Sequence, residues 1–172
     1  MEEYVVHTTV DRRAMTALAK AARKTLRRRR SRLVHTFGMA VTAAMLALAL
    51  GRWMAEDGNW WVNLLLAALM LAVTASEDAI NGIIGLRQVQ PGSKEVTAEF
   101  TGGQYVHRTG TAVSLWQYEK VQAVCETEEY FILLLDSRHG QIYAKKGFTR
   151  GAPMAFRDFI SRKTGKLIAY IG

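Results

Sequence analysis

Two uncharged stretches separated by a short polar turn constrain this chain more than any other feature. The first runs from Leu33 to Gly51, 19 residues, and a helix of that length reaches about 28 Å at about 1.5 Å per residue. The second runs from Trp60 to Ala75, 16 residues, or about 24 Å on the same rise. The hydrocarbon core of a bilayer is about 30 Å thick. The pattern therefore predicts a transmembrane hairpin over 33–76, with spans 33–51 and 60–76.

The surroundings of the hairpin favour a membrane over a soluble core. Both stretches are apolar around the whole helix, so a soluble protein would have to cover them on all sides, and no other segment is apolar enough to do so. Three tryptophans flank the polar turn, where an interfacial aromatic belt is expected: Trp53, Trp60 and Trp61. A cleavable signal peptide is rejected, because 32 residues precede the first stretch and a second span follows it.

Small residues recur at spacing four within both stretches. They are Ala43, Ala47 and Gly51 in the first and Ala68 and Ala72 in the second. Small residues let helices approach closely in lipid. These two ridges are therefore predicted to be the packing surfaces of the hairpin, with self-association as the alternative.

The net charge of +8 is concentrated in one segment. Of the 23 basic residues, ten lie between Arg12 and Arg32, where there is no acidic residue, which leaves 13 against 15 acids elsewhere. The location of the charge argues against a nucleic-acid partner, since the rest of the chain is not basic. Basic residues beside a span stay on the cytoplasmic side. Both termini are thus expected in the cytoplasm.

The basic segment is also predicted to bind anionic lipid headgroups, because each basic residue near the surface contributes about 1 kcal/mol. The residues proposed for this contact are Arg23, Lys24, Arg27, Arg28, Arg29, Arg30 and Arg32. The alternative, that the segment only sets topology, stays open. The single cysteine, Cys125, cannot form an internal disulfide and is expected to be a small buried residue.

Residues 1–32 are predicted to form a strand and a basic amphipathic helix. Tyr4 to Thr8 is a short β-branched run, and Thr9 is a candidate cap for a helix over Arg12 to Leu26 that runs into the first span. A lone strand of this length needs a partner for its backbone groups. We therefore expect it to pair with an edge of the C-terminal sheet, which makes the hairpin an insertion in a split domain.

Residues 77–93 are predicted to be an interfacial helical linker that ends at Pro91-Gly92-Ser93. From Lys94 the hydrophobic period becomes two, which predicts an antiparallel meander over 94–172. A final helix opens at Pro153 and places Phe156, Phe159 and Ile160 on one face. The expected strands are Lys94–Phe100, Tyr105–Arg108, Thr111–Trp116, Lys120–Thr127, Tyr130–Asp136 and Gln141–Lys145. The fold class is α+β.

A pattern of aromatic, aliphatic and lysine positions resembles the YcxB-like family of small bacterial membrane proteins. It comprises Leu115-Trp116-Gln117-Tyr118, Val121, Val124, Glu126-Thr127, Tyr130-Phe131 and Lys145-Lys146-Gly147-Phe148. The resemblance implies a domain similar to pleckstrin-homology (PH) folds and a bacterial cytoplasmic membrane. It marks Trp116, Tyr130, Phe131, Lys145 and Phe148 as motif positions. Many relatives have Trp-x-Asp/Glu-Ile where this chain has Trp116-Gln117-Tyr118-Glu119.

The sequence contains no catalytic constellation. Its four histidines, His7, His35, His107 and His139, have no paired ligand spacing, and Gly82-Ile83-Ile84-Gly85 follows no strand and lacks the lysine of a phosphate loop. No enzyme activity, cofactor or metal is therefore expected. The favoured function is a membrane-anchored binding or regulatory module with an unidentified ligand. The alternative is a structural accessory subunit of a larger membrane complex, and a protein partner in membrane or cytoplasm stays open.

Overall fold

The protein is α+β, as predicted. The computed structural model describes residues 3–90 and 92–172. Over those residues the helices are α1 (Arg12–Lys24), α2 (Arg28–Met54), α3 (Trp60–Ala75), α4 (Glu77–Gln88) and α5 (Pro153–Thr164). The strands are β1 (Tyr4–Thr9), β2 (Glu95–Phe100), β3 (Tyr105–Thr109), β4 (Val113–Trp116), β5 (Ala123–Glu126), β6 (Tyr130–Leu134), β7 (Gly140–Ala144), β8 (Phe148–Arg150) and β9 (Ile168–Tyr170).

The chain divides into two compact units. The sheet unit joins the residues up to Leu26 with Asp78–Gly172, and the hairpin unit is Arg27–Glu77. The chain thus leaves the sheet unit once and returns to it, so the hairpin is an insertion. An ion pair within the sheet unit lies beside the place where the hairpin is inserted. Nε and Nη2 of Arg23 each lie 2.6 Å from a carboxylate oxygen of Asp78. Such two-pronged pairs are among the stronger ionic hydrogen bonds.

The predicted partnership of β1 is confirmed. β1 pairs antiparallel with β2, with Tyr4 opposite Phe100 and Thr9 opposite Glu95. It does not cover an edge, however, because β8 pairs with its other side. The sheet order is β4-β3-β2-β1-β8. The three-residue β8 follows a tight turn and is too short to carry a periodic signal of its own.

The predicted single meander is wrong, since the remaining strands form a second sheet in the order β7-β6-β5-β9. In it β9 runs parallel to β5, with Val124 opposite Ile168. The chain reaches β9 after α5, and a helical crossover of this kind is what parallel pairing requires. Strand β9 was not predicted, because three residues give no recognisable alternation.

Helices cover both faces of the second sheet. Phe156, Phe159 and Ile160 of α5 are fully buried, as predicted, in a core shared with both sheets. On the other face, α1 packs Ala14, Ala21 and Ala22 against β5, β6 and β7. All five residues of β6 are buried. This explains why Tyr130 to Leu134 reads as a continuous apolar run rather than an alternating one.

Helix α1 begins at Arg12 as predicted, but its cap and its end differ from the prediction. Its cap is Asp11, whose side chain accepts a hydrogen bond from the backbone N–H of Ala14 at 2.8 Å, and not Thr9, which lies in β1. A carboxylate at this position also complements the helix dipole. The helix stops at Lys24, and a turn over residues 25–27 separates it from α2. The expected continuous run into the first span is therefore interrupted.

The hairpin unit packs through a different set of small residues from the predicted one. Ala43, Ala47, Gly51, Ala68 and Ala72 are all exposed. The buried positions of the two helices are Ser31, Gly38, Thr42, Ala49 and Ala67. A Cβ on Gly38 would lie 2.8 Å from Oγ1 of Thr74, so the helices are in close contact there. Alanine is frequent on every face of these helices, so spacing alone could not select the contact face.

Helix α4 has the predicted helical conformation, and it packs on α1 through glycine. A Cβ on Gly82 would lie 2.8 Å from the backbone Cα of Thr16, and one on Gly85 would lie 2.6 Å from the terminal methyl of Met15. Of the predicted break after this helix, Pro91 lies outside the described residues. Gly92 has φ +88°, a conformation that suits glycine.

These two glycines give a matched pair of substitutions. Gly82→Ala should lower the free energy of unfolding by about 1–3 kcal/mol, because the new methyl meets backbone that cannot move aside. Gly85→Ala should be neutral or stabilising by up to about 1 kcal/mol, since the Met15 methyl can rotate away and alanine favours helix. Chemical denaturation of both variants in the same detergent would measure the difference. Equal effects of the two substitutions would contradict the close helix crossing.

Candidate functional site

A cavity in the sheet unit brings together polar groups that lie far apart in the sequence. Its volume is about 390 Å³, and β3, β4 and β7 supply its polar wall. Residues two apart on a strand share a face. This places Tyr105 and His107 of β3 on one face, and Gln141 and Tyr143 of β7 on another. The apolar wall consists of Val10, Met15, Leu18, Val89, Val96, Leu135 and Ile142.

A connected hydrogen-bond network lies at the polar wall, and two of its members, His107 and Gln141, line the cavity. The hydroxyls of Tyr105 and Tyr143 both donate to Oε1 of Gln141, at 2.7 and 3.0 Å. Nδ1 of His107 lies 3.1 Å from the Tyr143 hydroxyl oxygen. Because the Tyr143 proton is already directed at Gln141, Nδ1 of His107 must be the donor in this contact. Nε2 of His107 is then the hydrogen-bond acceptor of the neutral ring.

Burial keeps this network uncharged. It lowers the pKa of His107 below the usual imidazole value and raises the pKa of the Tyr105 and Tyr143 hydroxyls. Removing these groups from water penalises their charged forms. His107 is therefore neutral and both tyrosines are protonated at neutral pH, which is the state that the hydrogen bonds require.

Trp116 also lines this cavity, and its indole nitrogen is buried. Its indole Nε1 is shielded from solvent and has no hydrogen-bond partner among the described residues. A buried N–H without a partner costs about 1–3 kcal/mol. Native structures contain few such groups. Because the nitrogen is closed to a water-sized molecule, it lies behind the cavity wall and does not open into the cavity.

The loop that follows β6 is ordered by Asp136. Its Oδ1 accepts hydrogen bonds from the backbone N–H groups of Arg138 and His139, at 2.6 and 2.8 Å, and its Oδ2 lies 2.7 Å from Nδ1 of His139. Led by the bond from Arg138, these contacts lower the pKa of Asp136 to about 2. Arg138 and His139 border the cavity, so this loop brings an arginine to its edge.

The motif positions separate into two groups. Phe131, Lys145 and Phe148 come together, because the Lys145 ammonium lies 5.1 Å from the Phe131 ring centroid and the two phenyl rings are 6.2 Å apart. Trp116 lines the cavity instead, and Tyr130 packs in the cluster beneath α1. The motif thus marks mainly core positions, and only Trp116 among its five residues reaches the cavity.

An ion cluster holds Lys145 in place. Its ammonium lies 2.6 Å from Oε1 of Glu126, a residue only 8% exposed. Nε of Arg157 lies 3.1 Å from Oε2 of Glu126 without forming a hydrogen bond to it. Two cations on one nearly buried carboxylate form a structural anchor, because a buried charge left unpaired is strongly destabilising.

The predicted lipid-contact residues lie in both units. Arg23 is paired with Asp78, and Nζ of Lys24 donates to the Gly172 carbonyl oxygen at 3.2 Å. Arg27 is half-buried in the hairpin unit. The residues with exposed side chains at the start of α2 are Arg28, Arg29, Arg30 and Arg32.

The three predicted interfacial tryptophans lie at the end of α2 and the start of α3. Trp53 and Trp61 are 60% and 53% exposed, and Trp60 is 37% exposed. Trp53 and Trp60 also line an apolar groove of about 370 Å³ within the hairpin unit, together with Leu46, Ala49, Leu50 and Leu64.

The described residues offer neither a reactive cysteine nor a cluster of metal ligands. Burial raises the pKa of Cys125 to about 11, which leaves it a thiol at neutral pH and a poor nucleophile. No group of three or more histidine, cysteine, aspartate or glutamate side chains suited to a metal ion occurs within residues 3–90 and 92–172.

The sequence analysis missed the network of Tyr105, His107, Gln141 and Tyr143. The period-two spacing within β3 and β7 could have shown which residues share a face, but not that those two faces meet. Comparison of the chain with protein-family models, with curated proteins and with solved structures finds no match.

Proposed function

We propose that this protein is a membrane-anchored binding module, in which the hairpin unit crosses the cytoplasmic membrane of a bacterium twice and the sheet unit, PH-like in fold, binds a ligand on the cytoplasmic side. The observation that carries the proposal is the exposed apolar surface of the hairpin. Leu33, Phe37, Leu65 and Leu69 are 59–73% exposed. Large apolar surfaces of this kind are rare on soluble monomers.

The length and composition of the helices support the anchor to different degrees. Among the described helices, α2 alone is long and apolar enough to cross a membrane by itself, and 17% of its most apolar window is buried. Helix α3 passes the same test only when it is counted with α4 as one bent span. At 16 residues it would need local bilayer thinning, which costs fractions of a kcal/mol per Å.

Charge supports the orientation. The start of α2 has four exposed arginines. The turn at its other end has one, Arg52, which is paired with Asp57 at 3.4 Å. An excess of basic residues on one side of a span keeps that side cytoplasmic. The same four arginines are available to anionic headgroups, which would add surface attraction to the anchor.

Neutralising these arginines tests the anchor. The variant with glutamine at Arg28, Arg29, Arg30 and Arg32 should lose its uniform orientation, because it lacks the main positive-inside signal. Reporter fusions after Gly58 and after Gly172 would measure which side each point occupies. The matched control replaces four exposed lysines of the sheet unit, Lys120, Lys146, Lys163 and Lys166, and should keep the wild-type orientation.

Three outcomes of this experiment separate the explanations. If both points are cytoplasmic in the wild type, or if the protein is recovered without membranes, the two-span anchor is wrong. If the arginine variant keeps its orientation, the anchor stands but its topology signal lies elsewhere.

A structural accessory subunit is the second candidate function. The small residues Ala43, Ala47 and Gly51 are exposed along one face of α2, and a Cβ on Gly51 would meet nothing within 4 Å. Such a surface suits close contact with another transmembrane helix. Purification with a partner in fixed ratio, lost on Ala47→Leu, would favour this candidate.

A further inference from the structure

We infer that strand β4 is a docking edge for a second copy of this chain, and that the two β4 strands pair antiparallel about a two-fold axis at Ser114. This goes beyond the proposed function, because it assigns a partner to the sheet unit in addition to a ligand. Strand β4 lies at one end of the five-stranded sheet, where β3 is its one neighbouring strand among the described residues.

The free edge of β4 is exposed and uncharged. Val113 and Leu115 are 64% and 60% exposed, and no charged residue occurs over positions 109–117. Folded proteins usually protect an exposed edge with lysine, proline or a bulge. The strand at the opposite end of the sheet, β8, ends at Arg150, which pairs with Glu3. The β4 edge lacks such protection and is open to another strand.

The ladder with β3 shows which backbone groups of β4 point outward. The N–H of Thr109 donates to the carbonyl oxygen of Ala112 at 2.8 Å, so Ala112 belongs to a hydrogen-bonded pair. The register continues without a shift along β4. Because such pairs alternate along antiparallel strands, Ser114 belongs to the next one. The N–H and C=O groups of Val113 and Leu115 therefore point away from β3, toward the free edge.

An axis at Ser114 satisfies these outward groups in both copies. It sets Val113 of each chain opposite Leu115 of the other, and two outward-pointing residues form a hydrogen-bonded pair. An axis at Val113 or at Leu115 would keep this hydrogen-bond pattern. It would, however, set the other apolar residue opposite Thr111 or Gln117 of the second copy. The axis at Ser114 is thus the one that pairs apolar side chains with each other.

The side chains on both faces of the paired strands are complementary. Val106 of β3 lies opposite Leu115, so Val106, Leu115 and Val113 of the second copy would form one apolar row. On the other face, the large Trp116 would lie opposite the small Ala112 of the second copy. Apolar cross-strand pairs stabilise antiparallel strands. The edge of β4 is therefore self-complementary in hydrogen bonding, in polarity and in size.

The paired edge is small, so the dimer depends on concentration. Stable interfaces bury about 1,200–2,000 Å², and one edge strand of four residues supplies less. Chains held in the same membrane meet at a high effective concentration, which favours a weak contact. The extent of pairing therefore rests on the proposed anchor. We expect dimers in membranes and dissociation on dilution in detergent.

Cysteine cross-linking of the full chain in liposomes tests the axis. An axis at Ser114 brings the two Ser114 residues into a non-hydrogen-bonded pair with Cα atoms about 4.5 Å apart, within the disulfide range of about 4.4–6.8 Å. Ser114→Cys should therefore form a disulfide-linked dimer when copper phenanthroline oxidises the two thiols. The wild type, whose single cysteine is the buried Cys125, gives the background.

The neighbouring positions give the matched controls for cross-linking. Val113→Cys alone and Leu115→Cys alone should stay at background, because diagonal positions are about 7–8 Å apart and a disulfide does not reach that far. A mixture of the two variants in the same liposomes should cross-link, since Val113 of one chain lies opposite Leu115 of the other.

Two double variants test the edge itself. Val113→Lys with Leu115→Lys should weaken dimer formation at least tenfold, because each lysine would face a lysine of the second copy. The matched control, Met154→Lys with Leu167→Lys, adds the same charge at residues that are 75% and 94% exposed and should leave the dimer unchanged. Energy transfer between donor-labelled and acceptor-labelled chains in phosphatidylcholine liposomes measures both. All four positions are exposed, so both variants should fold.

Three results would overturn the inference. The first is a monomer at every lipid-to-protein ratio. The second is energy transfer that survives the lysines on β4, which would place the contact on another surface. The third is self-cross-linking of Val113→Cys or Leu115→Cys in place of Ser114→Cys, which would reject the axis. Because the reporter fusions measure the membrane anchor separately, each of these results leaves the anchor standing.

Discussion

The double variant Tyr4→Ala, Val6→Ala should unfold the sheet unit or leave it marginally stable. Tyr4 and Val6 are 5% and 0% exposed, and the Tyr4 ring lies 4.9 Å from that of Phe159 and 5.3 Å from that of Phe156. Truncating a buried aromatic residue alone costs about 3–5 kcal/mol. With Val6 the loss should reach about 5 kcal/mol or more, comparable with the whole stability of a domain, about 5–15 kcal/mol.

The other face of the same strand supplies the control. Val5 and His7 alternate with the truncated residues and lie outside the buried set, so Val5→Ala, His7→Ala should cost less than about 1 kcal/mol. Denaturant unfolding followed by the near-ultraviolet tyrosine signal, with protease resistance at residues 78–172 as a second readout, would compare the two variants. If the two double variants lower the free energy of unfolding by the same amount, β1 is not part of the core and the split domain is wrong.

Gly147→Ala is the second substitution expected to have a large effect. A Cβ on Gly147 would overlap the backbone carbonyl oxygen of His7 and would lie 2.9 Å from its carbonyl carbon. Strand β1 cannot move away, because β2 and β8 hold it on both sides. Overpacking usually costs about 1–3 kcal/mol, and with rigid backbone as the obstacle we expect a loss of about 3 kcal/mol or more.

Gly103→Ala is the matched control for this variant. Gly103 also lies between strands, but a Cβ there would meet nothing within 4 Å. Surface substitutions of this kind change stability by less than about 0.5 kcal/mol. Midpoints of denaturant unfolding would measure both variants. A loss below about 1 kcal/mol for Gly147→Ala would show that β1 and the turn before β8 are not in contact.

The helices and most strands were readable from local patterns. The helical period of Phe156, Phe159 and Ile160 and the proline before them located α5, and alternation located β2 and β3. Each of these signals lies within one segment, because a segment that buries one side has apolar side chains at regular spacing. The pairing of β1 with the C-terminal sheet was also predictable, since a short strand has no stability alone, although its place between two strands was not.

Other features depended on residues that the sequence keeps apart. The contact face of α2 could not be selected among many alanines and glycines, and β8 and β9 were too short to detect. The hydrogen-bond network of the sheet unit requires His107 of β3 to meet Tyr143 of β7. That contact exists only after two sheets have formed and packed.

The sequence by itself determined the apolar hairpin, the α+β character and the joining of the two ends of the chain in one domain, because each follows from what a segment must bury or pair. Only the tertiary structure decided that β1 lies between β2 and β8, that Gly147 must approach His7, and that Trp116 is left with a buried N–H. Those outcomes depend on which of several compatible surfaces meet. That choice is made by the summed packing of segments that are far apart in the sequence, as are Val5 and Thr149, which are 144 positions apart.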